Sequence, residues 1–142
     1  MNMFLITVTY QRQTGDDNPG LVKESYVASG MTPADVQKQV LEEIAPFVFG
    51  ELDVPSINKC RFFDIFKNEC AEYWYEAKVE MIIIDGDTEK RKKVRVLVQA
   101  NTVTDAAHAL DEHLSGYDCE IISISKSNIV EVFDTQDAEE NN

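Results

Sequence analysis

Two segments of the chain repeat one plan seventy positions apart, and this repetition constrains the fold more than any other feature. Thr32 and Thr102 are each followed three positions later by an aspartate. A threonine at a helix N-cap accepts hydrogen bonds from the first turn, and a carboxylate in that turn favours the helix dipole. Apolar residues then recur every four positions in both segments: Val36, Val40 and Ile44 in the first, and Ala106, Leu110 and Leu114 in the second. Both segments are therefore predicted to be amphipathic helices.

The predicted strands around the two helices also correspond. Residues 26–28 and 96–98, upstream of the helices, are rich in residues that suit a pleated sheet. Downstream, the segments 63–66 and 130–133 both close with a phenylalanine. In the first half, this short aromatic segment is expected to be a turn of helix or an edge strand that seals that half.

These correspondences predict an α+β fold made of two ββαβ repeats with pseudo-twofold symmetry, containing mainly antiparallel sheet and two helices. The repeats span about residues 1–66 and 72–133. Two similar α+β units with accidental local identities are the alternative. Because the joint at 67–71 is too short for a flexible linker, residues 1–133 are predicted to form a single compact domain. Residues 134–142 contain four acids and no large apolar residue, and are expected to be a disordered tail.

The net charge of −13 argues against general binding to phosphate backbones, which depends on lysine and arginine. It is compatible with a basic partner or with simple solubility. The chain contains no apolar run long enough for a membrane span and no basic flank of a signal peptide, so a cytoplasmic protein without a membrane partner is expected. Cys60, Cys70 and Cys119 are odd in number and widely spaced, which favours reduced thiols.

Catalytic chemistry is not indicated by any motif. His108 and His113 are the only imidazoles, and five residues turn a helix by about 140°, so they do not share a face as a metal pair would. There is no phosphate-binding glycine loop and no nucleophile elbow. We therefore predict no catalytic residue, no cofactor and no metal site, and a protein that is not an enzyme.

A hairpin is predicted at Asp85-Gly86-Asp87 in the second half. Its returning arm carries a basic run, which is the one local departure from the acidic background. It holds five of the thirteen basic residues, Lys90, Arg91, Lys92, Lys93 and Arg95, and we call it the basic arm. This arm could dock an acidic partner or a nucleic-acid strand, with Trp74 or a neighbouring tyrosine as a stacking platform. Alternation along the predicted strand assigns Trp74 to the face opposite the core, where its ring is expected to be exposed. The alternative is a solvated arm whose charge is compensated by Glu80, Glu89 or the acidic tail.

Several strand and helix-end motifs resemble a known family. They are Tyr26-Val27-Ala28-Ser29, Glu43-Ile44-Ala45-Pro46 followed by Gly50-Glu51-Leu52-Asp53-Val54, Trp74-Tyr75 with Lys78, Leu97-Val98-Gln99-Ala100, and Glu131-Val132-Phe133. The sequence is similar to small proteins of about 140 residues from gut Bacteroidetes and their phages that form a domain of unknown function. This resemblance implies provenance and fold, with no catalytic residues to transfer.

The function expected from the sequence is a non-enzymatic protein-interaction module, accessory to a phage or mobile-element process, with an unknown and possibly basic protein partner. One alternative is a nucleic-acid-associated factor that uses the basic arm. Another is an acidic mimic that blocks the DNA-binding surface of another protein. An enzyme would require a polar pocket with perturbed acids.

Overall fold

A computed structural model describes residues 2–12 and 20–133, so the predicted disordered tail at 134–142 lies outside the described residues. The chain divides into two compact units: unit 1 comprises Met1–Arg61 and Ile129–Asn142, and unit 2 comprises Phe62–Asn128. In chain order, the elements are β1 (Asn2–Arg12), β2 (Gly20–Gly30), α1 (Pro33–Ile44), β3 (Phe49–Cys60), β4 (Asp64–Phe66), β5 (Tyr73–Asp85), β6 (Thr88–Ala100), α2 (Val103–His113), β7 (Cys119–Lys126) and β8 (Ile129–Phe133).

Each unit contains a mixed sheet of four strands and one helix, which confirms the predicted α+β class. The strand order is β3-β1-β2-β8 in unit 1 and β7-β5-β6-β4 in unit 2. Three strands of each sheet are antiparallel, and the fourth joins as a parallel edge strand.

The two parallel edge strands are exchanged relative to the predicted halves. Strand β4 is the last element of the predicted first half but pairs with β6 in unit 2, whereas β8 is the last element of the predicted second half and pairs with β2 in unit 1. The predicted halves 1–66 and 72–133 therefore do not coincide with the two units. The prediction that the segment ending at Phe66 seals the first half is wrong, because its strand completes the sheet of the second.

The helices form where the repeated caps predict them. The Thr32 hydroxyl accepts a hydrogen bond from the Asp35 backbone N–H at 3.2 Å, and Thr102 accepts from Asp105 at 3.1 Å. The predicted apolar stripes are buried in both helices. In unit 1 the stripe packs on Phe4, Ile6, Val8, Tyr10, Tyr26 and Ala28; in unit 2 it packs on Tyr75, Ala77, Val79, Met81, Val96, Val98 and Ala100. Burial of one helix stripe on one sheet face thus forms a separate core in each unit.

The hairpin of β5 and β6 also forms as predicted, with Asp85 pairing with Thr88 across a two-residue loop. Gly86 occupies that loop with φ 65°, which glycine adopts without steric cost. The sequence of residues 45–53 predicts an irregular segment, with the third strand beginning at Val54. This prediction is wrong, because β3 already begins at Phe49 after a 3-10 turn over Ala45–Phe47. Two register shifts against β1 and the φ of 77° at Gly50 accommodate this early start.

Of the elements in the described part of the chain, neither helix has the length and apolar character that crossing a bilayer requires.

Candidate functional site

The basic arm lies in β6, and its charges are divided between the two faces of the sheet. Side chains alternate along a strand, so Lys90 and Lys92 lie on the face that carries the core of unit 2. Arg91, Lys93 and Arg95 lie on the opposite face. All five side chains are exposed. The structure therefore brings three of the five predicted residues together on one face.

Two of these three side chains are paired with acids. Arg91 Nη1 lies 3.3 Å from a Glu120 carboxylate oxygen and 3.8 Å from Glu80, and Arg95 Nε donates to the Glu76 carboxylate. Such exposed pairs contribute only ~0–1 kcal/mol each to stability, but they do lower the net positive potential of the arm. Compensation by Glu80 was part of the solvated-arm interpretation of the sequence.

A shallow hollow of about 490 Å³ lies on the same face of unit 2, lined in part by Lys78, Lys93, Arg95 and Ile122. Lys78 and Lys93 have no ion-pair partner among the residues that the structure describes. Two ammonium groups beside an exposed isoleucine form a surface that could attract an anion, and we call it the basic hollow.

Trp74, the predicted stacking platform, is only 1% exposed. It lies on the sheet face opposite α2, as the alternation in β5 predicted, but the expectation of an exposed ring is wrong. Leu97, which pairs with Glu76 on the same face of the hairpin, is fully buried as well. The indole Nε1 has no hydrogen-bond partner in the described part of the chain. Trp74 therefore belongs to the buried interior and cannot stack on a base from solution.

The second candidate site is in unit 1, where the end of α1, the 3-10 turn and strands β1, β2 and β8 surround a cavity of about 320 Å³. We call it the acid–aromatic pocket. Its lining residues are Tyr10, Glu24, Tyr26, Glu43, Ile44, Phe47, Val130, Glu131 and Phe133.

Strand pairing brings the acids and aromatic rings of the pocket together. In the parallel ladder of β2 and β8, Tyr26 pairs with Glu131 and Ala28 pairs with Phe133. The Tyr26 and Phe133 rings stack with their centroids 5.8 Å apart and their planes at 13°. The Tyr26 hydroxyl donates to Glu24 Oε2 at 2.5 Å. The aromatic wall of the pocket is therefore fixed by the pairing of β2 with β8, by the stacking of Tyr26 on Phe133 and by the hydrogen bond from Tyr26 to Glu24.

The rim of the pocket is acidic and partly open. Glu43 is exposed at the end of α1, and the Phe47 side chain is 61% exposed. One oxygen of the Glu131 carboxylate accepts from the Val132 backbone N–H at 3.1 Å. No lysine or arginine is among the described residues that line the cavity. Carboxylates beside aromatic faces favour a cation that also carries an apolar or planar body.

None of the predicted site residues lies in this pocket, although its acids leave a signal in the sequence. Strand β2 places Val22, Glu24, Tyr26 and Ala28 on the core face of unit 1, so Glu24 occupies a position where an apolar residue is expected. A carboxylate on the core-facing side of a strand is costly to bury unless it is paired or hydrogen-bonded, so such a position can indicate a binding site. Glu43 stands off the apolar stripe of its helix, so its sequence position resembles that of a solvent-facing acid and does not connect it with Glu131.

The histidines, and the acids and cysteines outside the pocket, do not form a second site in the described part of the chain. Within residues 2–12 and 20–133, no group of three or more histidine, cysteine or acidic side chains is arranged to hold a metal ion. His108 is exposed, and the His113 ring stacks on Phe66 at 4.2 Å. Burial raises the pKa of the Cys119 thiol above its ordinary value, and the carboxylates of Asp118 and Asp111 raise it further. This environment disfavours the thiolate, the form that a nucleophilic cysteine needs.

Comparison with known proteins places both units in one family. No curated protein matches the chain. A family model matches residues 2–135, which cover all the strands and both helices of the structure. The chain therefore belongs to the family described as a domain of unknown function, DUF4494.

Proposed function

We propose that this protein is a non-enzymatic interaction module that receives a basic segment of a partner protein in the acid–aromatic pocket of unit 1. The observation that carries the proposal is the pocket itself, where Glu43 and Glu131 stand beside the Tyr26–Phe133 stack. The cytoplasmic setting, in a phage or mobile-element process, follows from the family resemblance and remains part of the proposal.

The size and charge of the pocket support a side chain as its ligand. A cavity of about 320 Å³ is at the lower end of the range of small-molecule sites, which run from ~300 to 1,000 Å³. It therefore suits one long side chain better than a large cofactor. The net charge of −13 would speed the encounter with a basic partner through long-range attraction. An acidic mimic that covers a basic DNA-binding surface is one form of this function.

The second candidate function is association with nucleic acid or another anion through the basic hollow. Lys78 and Lys93, which have no ion-pair partner among the described residues, support it. Against it stand the pairing of Arg91 and Arg95 with acids and the burial of Trp74. Arg91 and Arg95 are therefore less available to bind phosphates, and the Trp74 ring is not available to stack on a base.

The fold proposal that accompanies this function is an internal duplication. It is supported by the equivalent caps at Thr32 and Thr102 and by the corresponding strand orders of the two sheets. In this interpretation the two repeats diverged in their sites, so that unit 1 keeps an open acidic pocket and unit 2 carries the basic hollow.

An affinity capture from a host lysate tests the two functions against each other. The tagged protein is compared with the pocket variant Glu43→Lys and with the arm variant in which Lys90, Arg91, Lys92 and Lys93 are replaced by glutamate, with and without nuclease, at low and moderate salt. We expect a discrete protein partner that survives nuclease, weakens as salt rises and is lost with Glu43→Lys. Capture that depends on nuclease and on the arm would overturn the proposal in favour of the nucleic-acid function.

A further inference from the structure

The positions that form the acid–aromatic pocket in unit 1 have counterparts in unit 2, where the space is filled. Glu43 and His113 both stand eleven residues beyond the threonine cap, and Phe47 and Tyr117 both stand fifteen residues beyond it. In the parallel ladders, Phe133 pairs with Ala28. Phe66 pairs with Val98. Ala28 and Val98 are equivalent, because each lies two residues before the end of its strand, β2 or β6.

In unit 2, the chain's own side chains occupy this place. The His113 ring lies on the Phe66 ring with centroids 4.2 Å apart and planes at 6°. The Tyr117 ring packs edge-on against Phe63 at 5.2 Å and 82°. A planar, polar ring thus covers the phenylalanine of the edge strand.

In unit 1, the counterparts of the His113 and Phe63 rings are absent, whereas Phe47 is retained and Tyr26 stacks with Phe133. Glu43 replaces the histidine, and Val130 replaces Phe63, since each stands three residues before the phenylalanine of its edge strand. Both replacements remove a ring, and Glu43 adds a negative charge. Glu43 and Val130, which stand in place of those rings, line the cavity of about 320 Å³.

We propose that the acid–aromatic pocket binds an arginine side chain, whose guanidinium takes over the place on Phe133 that the His113 ring takes on Phe66. This inference rests on the function proposed above and adds the identity of the ligand group. A guanidinium is planar, stacks on aromatic faces and donates to carboxylates through a fixed fork, whereas an ammonium offers only a compact point charge. Glu43 and Glu131 are the acceptors, and the ring of Phe133 is the stacking surface.

The chain contains an internal example of the same recognition. In unit 2, the Arg95 guanidinium carbon lies 4.8 Å from the centre of the Phe62 ring, while its Nε donates to Glu76. One arginine therefore already satisfies a ring and a carboxylate together in this protein. The pocket of unit 1 provides a ring and two carboxylates to an arginine from outside.

The test is an NMR titration of the ¹⁵N-labelled protein with three blocked tripeptides, Gly-Arg-Gly, Gly-Lys-Gly and Gly-citrulline-Gly. Citrulline keeps the shape of arginine without its charge. We expect the arginine peptide to shift the amide signals of Ile44, Phe47 and Val132, with an affinity about fivefold or more above the lysine peptide and no measurable binding of the citrulline peptide. Equal shifts from all three peptides, or none from the arginine peptide, would overturn the inference.

Two variants make the test specific to the pocket. Glu43→His with Val130→Phe reproduces the filled arrangement of unit 2 and should abolish the arginine-dependent shifts while leaving the circular dichroism spectrum unchanged. Asp64→Asn removes the carboxylate that corresponds to Glu131 in unit 2 and should leave binding unchanged. Shifts that persist in the filled variant would contradict the proposed place of binding.

The result also separates the two proposals. If a lysate partner is lost with Glu43→Lys but the tripeptides show no preference for arginine, the choice of arginine fails and the interaction module stands. If capture does not depend on Glu43 while the arginine peptide binds in the pocket, the interaction-module proposal fails and the arginine site stands.

Discussion

Replacement of Gly30 by alanine tests how the helix of unit 1 is fitted to its sheet. A Cβ atom added at Gly30 would lie 2.7 Å from Val36 Cγ2, closer than real Cβ contacts occur. In unit 2 the corresponding residues are Ala100 and Ala106, both buried. One unit therefore combines glycine with valine where the other combines alanine with alanine. The two pairs conserve volume in different ways.

The expected energies follow from this exchange of volume. Overpacking by Gly30→Ala should cost about 1–3 kcal/mol of the free energy of unfolding, reduced by up to ~1 kcal/mol because alanine restricts the unfolded chain. Val36→Ala removes two buried carbons and should cost roughly 2 kcal/mol. Because the alanine methyl would occupy part of the space that Val36 leaves, the double variant should cost about the same as Val36→Ala alone.

Urea unfolding followed by far-UV circular dichroism measures these free energies. The control is Gly30→Ala combined with Val40→Ala, since Val40 is equally buried but supplies none of the three atoms nearest to the added Cβ. We expect additivity in this control and a favourable coupling of about 1–2 kcal/mol in the pair with Val36. Additive energies in both pairs would refute the reasoning from volume exchange.

Three further predictions concern the buried Leu110 side chain, the exchanged strand β8 and the Cys119 thiol. Leu110→Ala should destabilise the protein by about 2–5 kcal/mol in urea unfolding because its side chain is fully buried, whereas Val103→Ala, at an exposed position of the same helix, should change stability by less than about 0.5 kcal/mol. A chain ending at Asn128 loses β8 and leaves the β2 edge unpaired, so size-exclusion chromatography should show self-association that a chain ending at Phe133 does not; a monomer in both cases would contradict the role of β8. The pKa of the Cys119 thiol is raised in the folded protein, so the protonated thiol contributes fully to the free energy of unfolding below the unfolded pKa of 9.0, and this contribution is lost as pH rises through the folded pKa. Cys119→Ser should therefore reduce the loss of stability that urea unfolding measures at alkaline pH. An unchanged pH dependence would count against this prediction.

Local patterns in the sequence were sufficient to predict the helices and the long hairpin. A threonine cap, an acid three positions later and an apolar stripe depend on contacts within a few residues, so Thr32–Ile44 and Thr102–Leu114 could be recognised without tertiary information. The loop at Gly86 is equally local, since it requires only a glycine at the turn. These elements give each unit its core.

The exchange of the edge strands could not be predicted in this way. The segments ending at Phe66 and Phe133 have the same pattern and enter equivalent ladders, so either segment fits either sheet by its local sequence. Which sheet each one joins is decided by chain connectivity and long-range pairing. For the same reason, alternation in β5 assigned Trp74 to the correct face but did not reveal that this face is buried at its position.

The acid–aromatic pocket was missed because its parts are far apart in sequence. Glu24, Glu43 and Glu131 come from β2, α1 and β8. Glu24 alone stands out by its core-face position, whereas Glu43 and Glu131 each resemble a solvated surface acid. Only the parallel ladder between β2 and β8 brings Glu131 beside Tyr26. A site built on an exchanged strand depends on the topology and cannot be read from a local motif.

Site-specific photo-crosslinking tests whether a partner protein binds at the acid–aromatic pocket. A photoreactive phenylalanine is placed at Phe47, on the rim of the pocket and 61% exposed, or at Ile84, near the basic arm and 72% exposed, and each protein is irradiated in host lysate. We expect position 47 to crosslink to one discrete protein, within a peptide of that protein that contains arginine, and position 84 to give no crosslinked protein. A partner crosslinked from position 84 and absent from position 47 would contradict it.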